Sequence, residues 1–144
     1  TENIEGVFFT VDFDSSADDE IWYTLIIPSR WDTSTDIVFA IDWFYDGVQD
    51  NGTVCWTLEY KGVKAGEAVV GAGTTIIQTS AGNHTTGQMV RTLFITKILA
   101  TNLEEHDTLG LRLYRDVSED TLGTDARVLN THFHFTKNKL GQAI

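Results

Sequence analysis

The sequence predicts an all-β fold, a single antiparallel β-sandwich of jelly-roll character, and three observations predict it. Between Asp36 and Tyr60 apolar residues recur at every second position: Ile37, Phe39, Ile41 and Trp43 in one run, then Val54, Trp56, Leu58 and Tyr60 in the next. A period of two is what an extended backbone produces. Roughly seven or eight β-rich runs follow one another along the chain, separated by turn-forming segments, and none has the 3.6-residue apolar period of an amphipathic helix. Finally, the 144 residues are 42% hydrophobic and 11% aromatic, the size of one domain with enough apolar mass to fold alone. Residues 1–144 are therefore expected to form one domain, with residues 1–11 either an edge strand or an arm laid on a neighbouring subunit.

The first apolar run contains Val7, Phe8, Phe9 and Val11. Asp12 to Glu20 is rich in Asp and Ser and reads as a solvated loop; it lacks the Gly and the closing Glu of an EF-hand. Ile21 to Ile27 is a β-branched and aromatic strand stopped by Pro28, which cannot donate to a ladder. The runs 37–43 and 53–60 read as a β-hairpin at the centre of the fold, since a polar loop, Phe44 to Gly52, joins them through the turn dipeptides Asp46-Gly47 and Asn51-Gly52. That loop is expected to be exposed, as is a second polar one, Thr79 to Gln88.

Gly71-Ala72-Gly73 is followed by Thr74-Thr75-Ile76-Ile77, a strand sequence and not the helix start that a phosphate loop requires. Met89 to Ala100 fits a strand or a short helix, and Thr92, Phe94, Ile95 and Thr96 favour the strand. In Leu109 to Arg115 three leucines face one way and Arg112 and Tyr114 the other. In Val128 to Thr136, Leu129, Thr131, Phe133 and Phe135 alternate with Val128, Asn130, His132 and His134.

The formal charge is −11, from 21 acidic against 10 basic residues, which argues against nucleic acid and anionic membrane as partners. No run of about 18 apolar residues and no signal-like segment is present in these residues. The single cysteine, Cys55, excludes an internal disulfide and a Cys-based zinc cluster, and its place within a strand reads as packed.

Chemistry-bearing residues are few. His132 and His134 share a strand face at a spacing that could chelate zinc, but no carboxylate lies beside them in sequence, so an exposed or subunit-facing strand side is the simpler reading. Arg115 is close to Asp116, Asp120 and Asp125, and an arginine held bidentately by a loop carboxylate accounts for this better than a glycosidase pair, which needs a cleft. Trp43 and Trp56 fall on the apolar rows and read as core. Trp22 and Trp31 remain as rings that could stack on a sugar, which keeps a carbohydrate-binding jelly roll as a competing reading. No catalytic residue, cofactor or metal is expected.

Ile41-Asp42-Trp43, Gly52 to Tyr60, Leu111 to Asp116, Asp120-Thr121-Leu122, Asp125-Ala126, His132 to Phe135 and Leu140-Gly141 together resemble a group of small β-rich structural proteins of tailed bacteriophages. The resemblance spans about Asp36 to Gly141 and rests on strand and turn signatures. It implies a non-enzymatic virion component made in the host cytoplasm: a capsid decoration (cement) protein, acting as a homotrimer on the major capsid protein, or a tail fibre or spike module. A fibre module normally follows a long shaft, and none is read here, so decoration is the expectation. In that role Val7, Phe8 and Phe9 would be an arm contacting a neighbour.

Overall fold

The computed structural model describes residues 2–48 and 50–138; Leu140-Gly141 lie outside the described residues. Nine strands form two antiparallel sheets packed as a β-sandwich, with two short 3₁₀ turns and no α-helix among the described residues. The strands are β1 (Glu2–Glu5), β2 (Phe8–Phe13), β3 (Glu20–Ile26), β4 (Val38–Tyr45), β5 (Thr53–Val63), β6 (Thr74–Ala81), β7 (Val90–Leu93), β8 (Thr108–Arg115) and β9 (Ala126–His134). One sheet runs β1-β2-β9-β4-β7 and the other β3-β8-β5-β6.

The central pair is not a hairpin. β4 lies in the five-stranded sheet between β9 and β7, and β5 in the four-stranded sheet between β8 and β6. The alternation was legible but its consequence differs. Side by side in one sheet, the two aromatic rows would need a third layer to cover them. Across the sandwich they cover each other: Trp43 and Trp56 meet edge to face at 5.8 Å, and Phe13 closes on Trp56 at 5.2 Å. Phe44 and Tyr45 belong to β4 and are buried, so the connecting loop begins at Asp46. Gly52, at its other end, is packed so tightly that a Cβ there would lie 2.2 Å from the Thr121 carbonyl oxygen.

The N-terminal run is a strand of this chain's own sheet. β1 and β2 form a hairpin through Gly6-Val7, with Gly6 at φ +61°, the left-handed value a tight two-residue turn needs at its first position. β2 pairs with β9 only from Val11 onward, so Phe8 to Thr10 are paired with β1 but not with β9.

The alternation expected over Val128 to Thr136 is broken by a β-bulge. Asn130 is opposite Asp42 and Val128 opposite Trp43, leaving Leu129 as the extra residue. Val128 and Phe133 therefore both reach the core, and Leu129 is turned to the outer face, where it lines a groove with Phe8 and Phe44. Of Met89 to Ala100 only β7 is extended along the sheet. Beyond it Phe94 turns inward to meet Phe39 at 5.1 Å, and Ile98 bridges to Ile37. β6 continues through Ala81, which shortens the second polar loop to residues 82–89. Cys55 is a buried free thiol.

Trp56 touches both sheets, so Trp56→Ala is expected to destabilise the protein by about 3 to 5 kcal/mol. A thermal melt within a degree or two of wild type would show that the ring does not carry the inter-sheet packing.

Candidate functional site

The residues singled out from sequence fall into three places. At one end of the sandwich, the last residue of β8, Arg115, is fully buried and uses all five guanidinium donors. Its Nε and Nη2 donate to the two carboxylate oxygens of Asp120 at 2.8 and 3.0 Å, and the rest go to the carbonyls of Phe13, Leu122 and Thr124. Asp116 and Asp125 are not part of this knot. Asp116 accepts from the Ser118 amide and hydroxyl, and Asp125 from the Ser15 amide. The fixed loop also binds the β4–β5 connection, because the Asp50 carboxylate accepts from the amides of Gly52 and Gly123.

The second place is the outer face of the five-stranded sheet. Asp42 accepts from Arg91 Nε at 2.7 Å and Nη2 at 2.9 Å, and its Oδ2 lies 2.5 Å from His132 Nε2. The Arg91 guanidinium and then the His132 hydrogen bond hold the Asp42 carboxyl below the usual carboxylate range against the opposing effect of burial. No carboxylate lies beside the His pair in sequence, but β4 brings Asp42 to His132 from 90 positions away. His134 is exposed, with its ring 6.0 Å from that of His132. Among the described residues no three His, Cys, Asp or Glu side chains converge as a metal site would need. Beside this polar cluster lies a groove of about 580 Å³ walled by Phe8, Phe44, Met89 and Leu129. Arg127 ties the groove's rim together, pairing with Glu5, Asp12 and Asp46 and lying over the Phe44 ring.

Asp42 and Arg91 escaped the sequence reading, though one signal was present. Asp42 is the lone charge in the apolar run Ile37 to Tyr45, and a carboxylate in such a run requires a cation from another strand.

The third place is the outer face of the other sheet. There Trp22 is 66% exposed, with the Arg112 guanidinium between its ring and that of Tyr114. Trp31 is not available to any ligand: it is fully buried and its Nε1 donates to the Thr35 carbonyl.

No family model and no curated protein matches the chain. Among solved structures it is similar to a chain of infectious bursal disease virus, Gt strain, at 13% identity and a TM-score of 0.34, over 85% of this chain. The chain spans 30% of the length of that viral chain, and a likeness at this score carries no argument about function.

Two outcomes are expected. Arg115→Met leaves the Asp120 carboxylate buried without its cation and should cost about 3 to 5 kcal/mol in urea unfolding, with part regained in Arg115→Met/Asp120→Leu; an Arg115→Met variant as stable as wild type would refute the knot. The second concerns His84, whose ring is wedged edge-on between Trp43 at 5.2 Å and Tyr45 at 4.8 Å. Burial lowers its pKa from 6.5, with a backbone contact to Ala81 opposing. The folded state then binds fewer protons than the unfolded one, so stability falls as pH drops below 6.5 and levels off below the folded pKa. Melting temperature against pH should slope less through that window in His84→Gln than in wild type, and equal slopes would count against a neutral, wedged imidazole.

Proposed function

We propose that the chain is a non-enzymatic structural component of a virion, a capsid decoration protein that works as a homotrimer and bridges neighbouring capsid subunits. The resemblance of its strand and turn signatures to those of small β-rich phage proteins supports this reading, and the β1–β2 hairpin carries it. Val7 at its tip is 92% exposed, and Phe8 and Phe9, on opposite faces of β2, are 61% and 57% exposed. They lie where β2 is no longer paired with β9, so apolar side chains stand exposed on both faces of the strand. A neighbouring copy or capsid subunit covers such an element with a gain of about 1.5 to 3 kcal/mol for each side chain fully buried.

The mechanism follows from numbers of weak contacts. One hairpin gives a modest interaction, but three held in one trimer meet their sites at high effective concentration once the first has bound. The free edge of β1 adds main-chain donors and acceptors that a neighbour's strand can pair with.

Phe8→Ser/Phe9→Ser removes the apolar element without touching the core. Light scattering should give three times the chain mass for wild type and a lower mass for the variant. Occupancy on capsids lacking this protein should fall at least about tenfold with it. A monomeric wild-type protein that leaves capsids bare would overturn the reading, and binding to tails would move it to the fibre or spike.

A further inference from the structure

The outer face of the four-stranded sheet holds a groove of about 400 Å³ that the virion reading does not use, within the roughly 300 to 1,000 Å³ of small-ligand sites. Trp22 forms one wall, the loop carrying Val69, Gly71 and Gly73 the other, and Gly110 lies between them.

Gly110 is the unexpected residue. It sits inside β8, a strand paired on both sides, where glycine weakens the sheet. Every other described glycine has either a positive φ or a neighbouring atom within 3.2 Å of where a Cβ would stand. At Gly110 the nearest atom is the Lys61 carbonyl oxygen at 3.8 Å, and φ is not positive. Neither the backbone nor the packing asks for glycine, and what its missing side chain leaves is open floor. A strand glycine of this kind marks a place where something approaches the backbone closely.

The walls say what that is. The Trp22 Nε1 donates to Glu20 at 3.0 Å and Arg112 packs against the ring, so the indole is fixed in place before any ligand arrives and offers an apolar surface. Glu59 is anchored by the Gly73 amide at 2.8 Å, and Lys61 by the Val70 carbonyl at 2.8 Å. Arg112 and Lys61 balance Glu20 and Glu59, so this groove is locally neutral in a chain of charge −11. An anionic ligand gains nothing here. Nor does a peptide, because both edges of β8 are already hydrogen-bonded to β3 and β5 and no main chain is free to pair. A flat apolar platform with fixed carboxylate, guanidinium and ammonium groups around a neutral floor suits a ring whose faces are C–H and whose rim is hydroxyl.

We propose that this groove binds a neutral oligosaccharide, with Trp22 as the stacking platform, Glu59, Arg112 and Lys61 as hydroxyl partners, and Gly110 as the floor that admits the ring. The site stands independently of the capsid reading.

The test uses maltohexaose, cellohexaose, chitohexaose and an array of neutral bacterial surface glycans, followed by calorimetry and by tryptophan emission. Trp31, Trp43 and Trp56 are fully buried, so a sugar-induced change in emission reports on Trp22. Wild type is expected to bind at least one of these glycans. Trp22→Ala should weaken that binding at least about tenfold. Gly110→Val should abolish it while keeping or raising the melting temperature, since a β-branched residue suits the strand. Absence of binding across the panel, equal binding by Trp22→Ala, or a Gly110→Val variant that keeps its glycan affinity would each overturn the proposal. So would a change in oligomeric mass on Gly110→Val without any glycan binding, which would make this face a protein interface.

Discussion

One buried cation holds the end of the sandwich together. A guanidinium taken wholly out of water costs several kcal/mol in lost hydration, and the cost is met only where each of its donors finds an acceptor in line. Arg115 meets that condition with a carboxylate and three backbone carbonyls, one from β2 and two from the loop that leads to β9. A lysine has neither the number of donors nor the planar fork to do the same. Because the Asp120 loop is pinned, Thr121 and Leu122 can donate to the Thr53 carbonyl and Asp50 can reach the Gly123 amide. The β4–β5 and β8–β9 connections are thereby fastened to each other over the Phe13–Trp56 contact.

The interior and the two outer faces follow different physics. Inside, rings meet edge to face. Outside, each sheet carries an ionic cluster built across strands: Arg91, Asp42 and His132 on one, Glu20, Arg112 and Glu59 on the other. These clusters orient neighbouring surface rather than supply much stability. The exposed ones contribute at most about 1 kcal/mol.

The strands could be read from sequence because alternation is a local property. Leu109, Leu111 and Leu113 announce one face of β8 without knowledge of anything else, and they are all buried. Which sheet a strand joins is not local, and the segment 36–60 shows it: the same two rows are compatible with a hairpin or with a crossing, and only the pairing of β4 with β9 and β7, and of β5 with β8 and β6, decides. The bulge at Leu129 was equally invisible, since an inserted residue changes pairing while leaving composition alone. Trp31 looked like a surface ring because it sits in an irregular segment. It is buried because that segment folds back so that Trp31 bridges Lys137, placing the indole in the core. At the candidate sites, Arg115 and Asp120 were legible from five residues of separation, whereas Asp42, Arg91 and His132 needed three strands in register.

The position of β9 bears on the order in which the molecule can be made. This strand lies between β2 and β4, so the five-stranded sheet has a vacant centre until the ninth strand has been synthesised. While the chain emerges from the ribosome, β2 and β4 each present an unpaired edge, and β4 does so with the most apolar sequence in the protein. No shorter N-terminal fragment can close the sheet. The five-stranded sheet therefore cannot close before β9 has emerged, and a product stalled or truncated ahead of it exposes two aromatic-rich edges to whatever else is present.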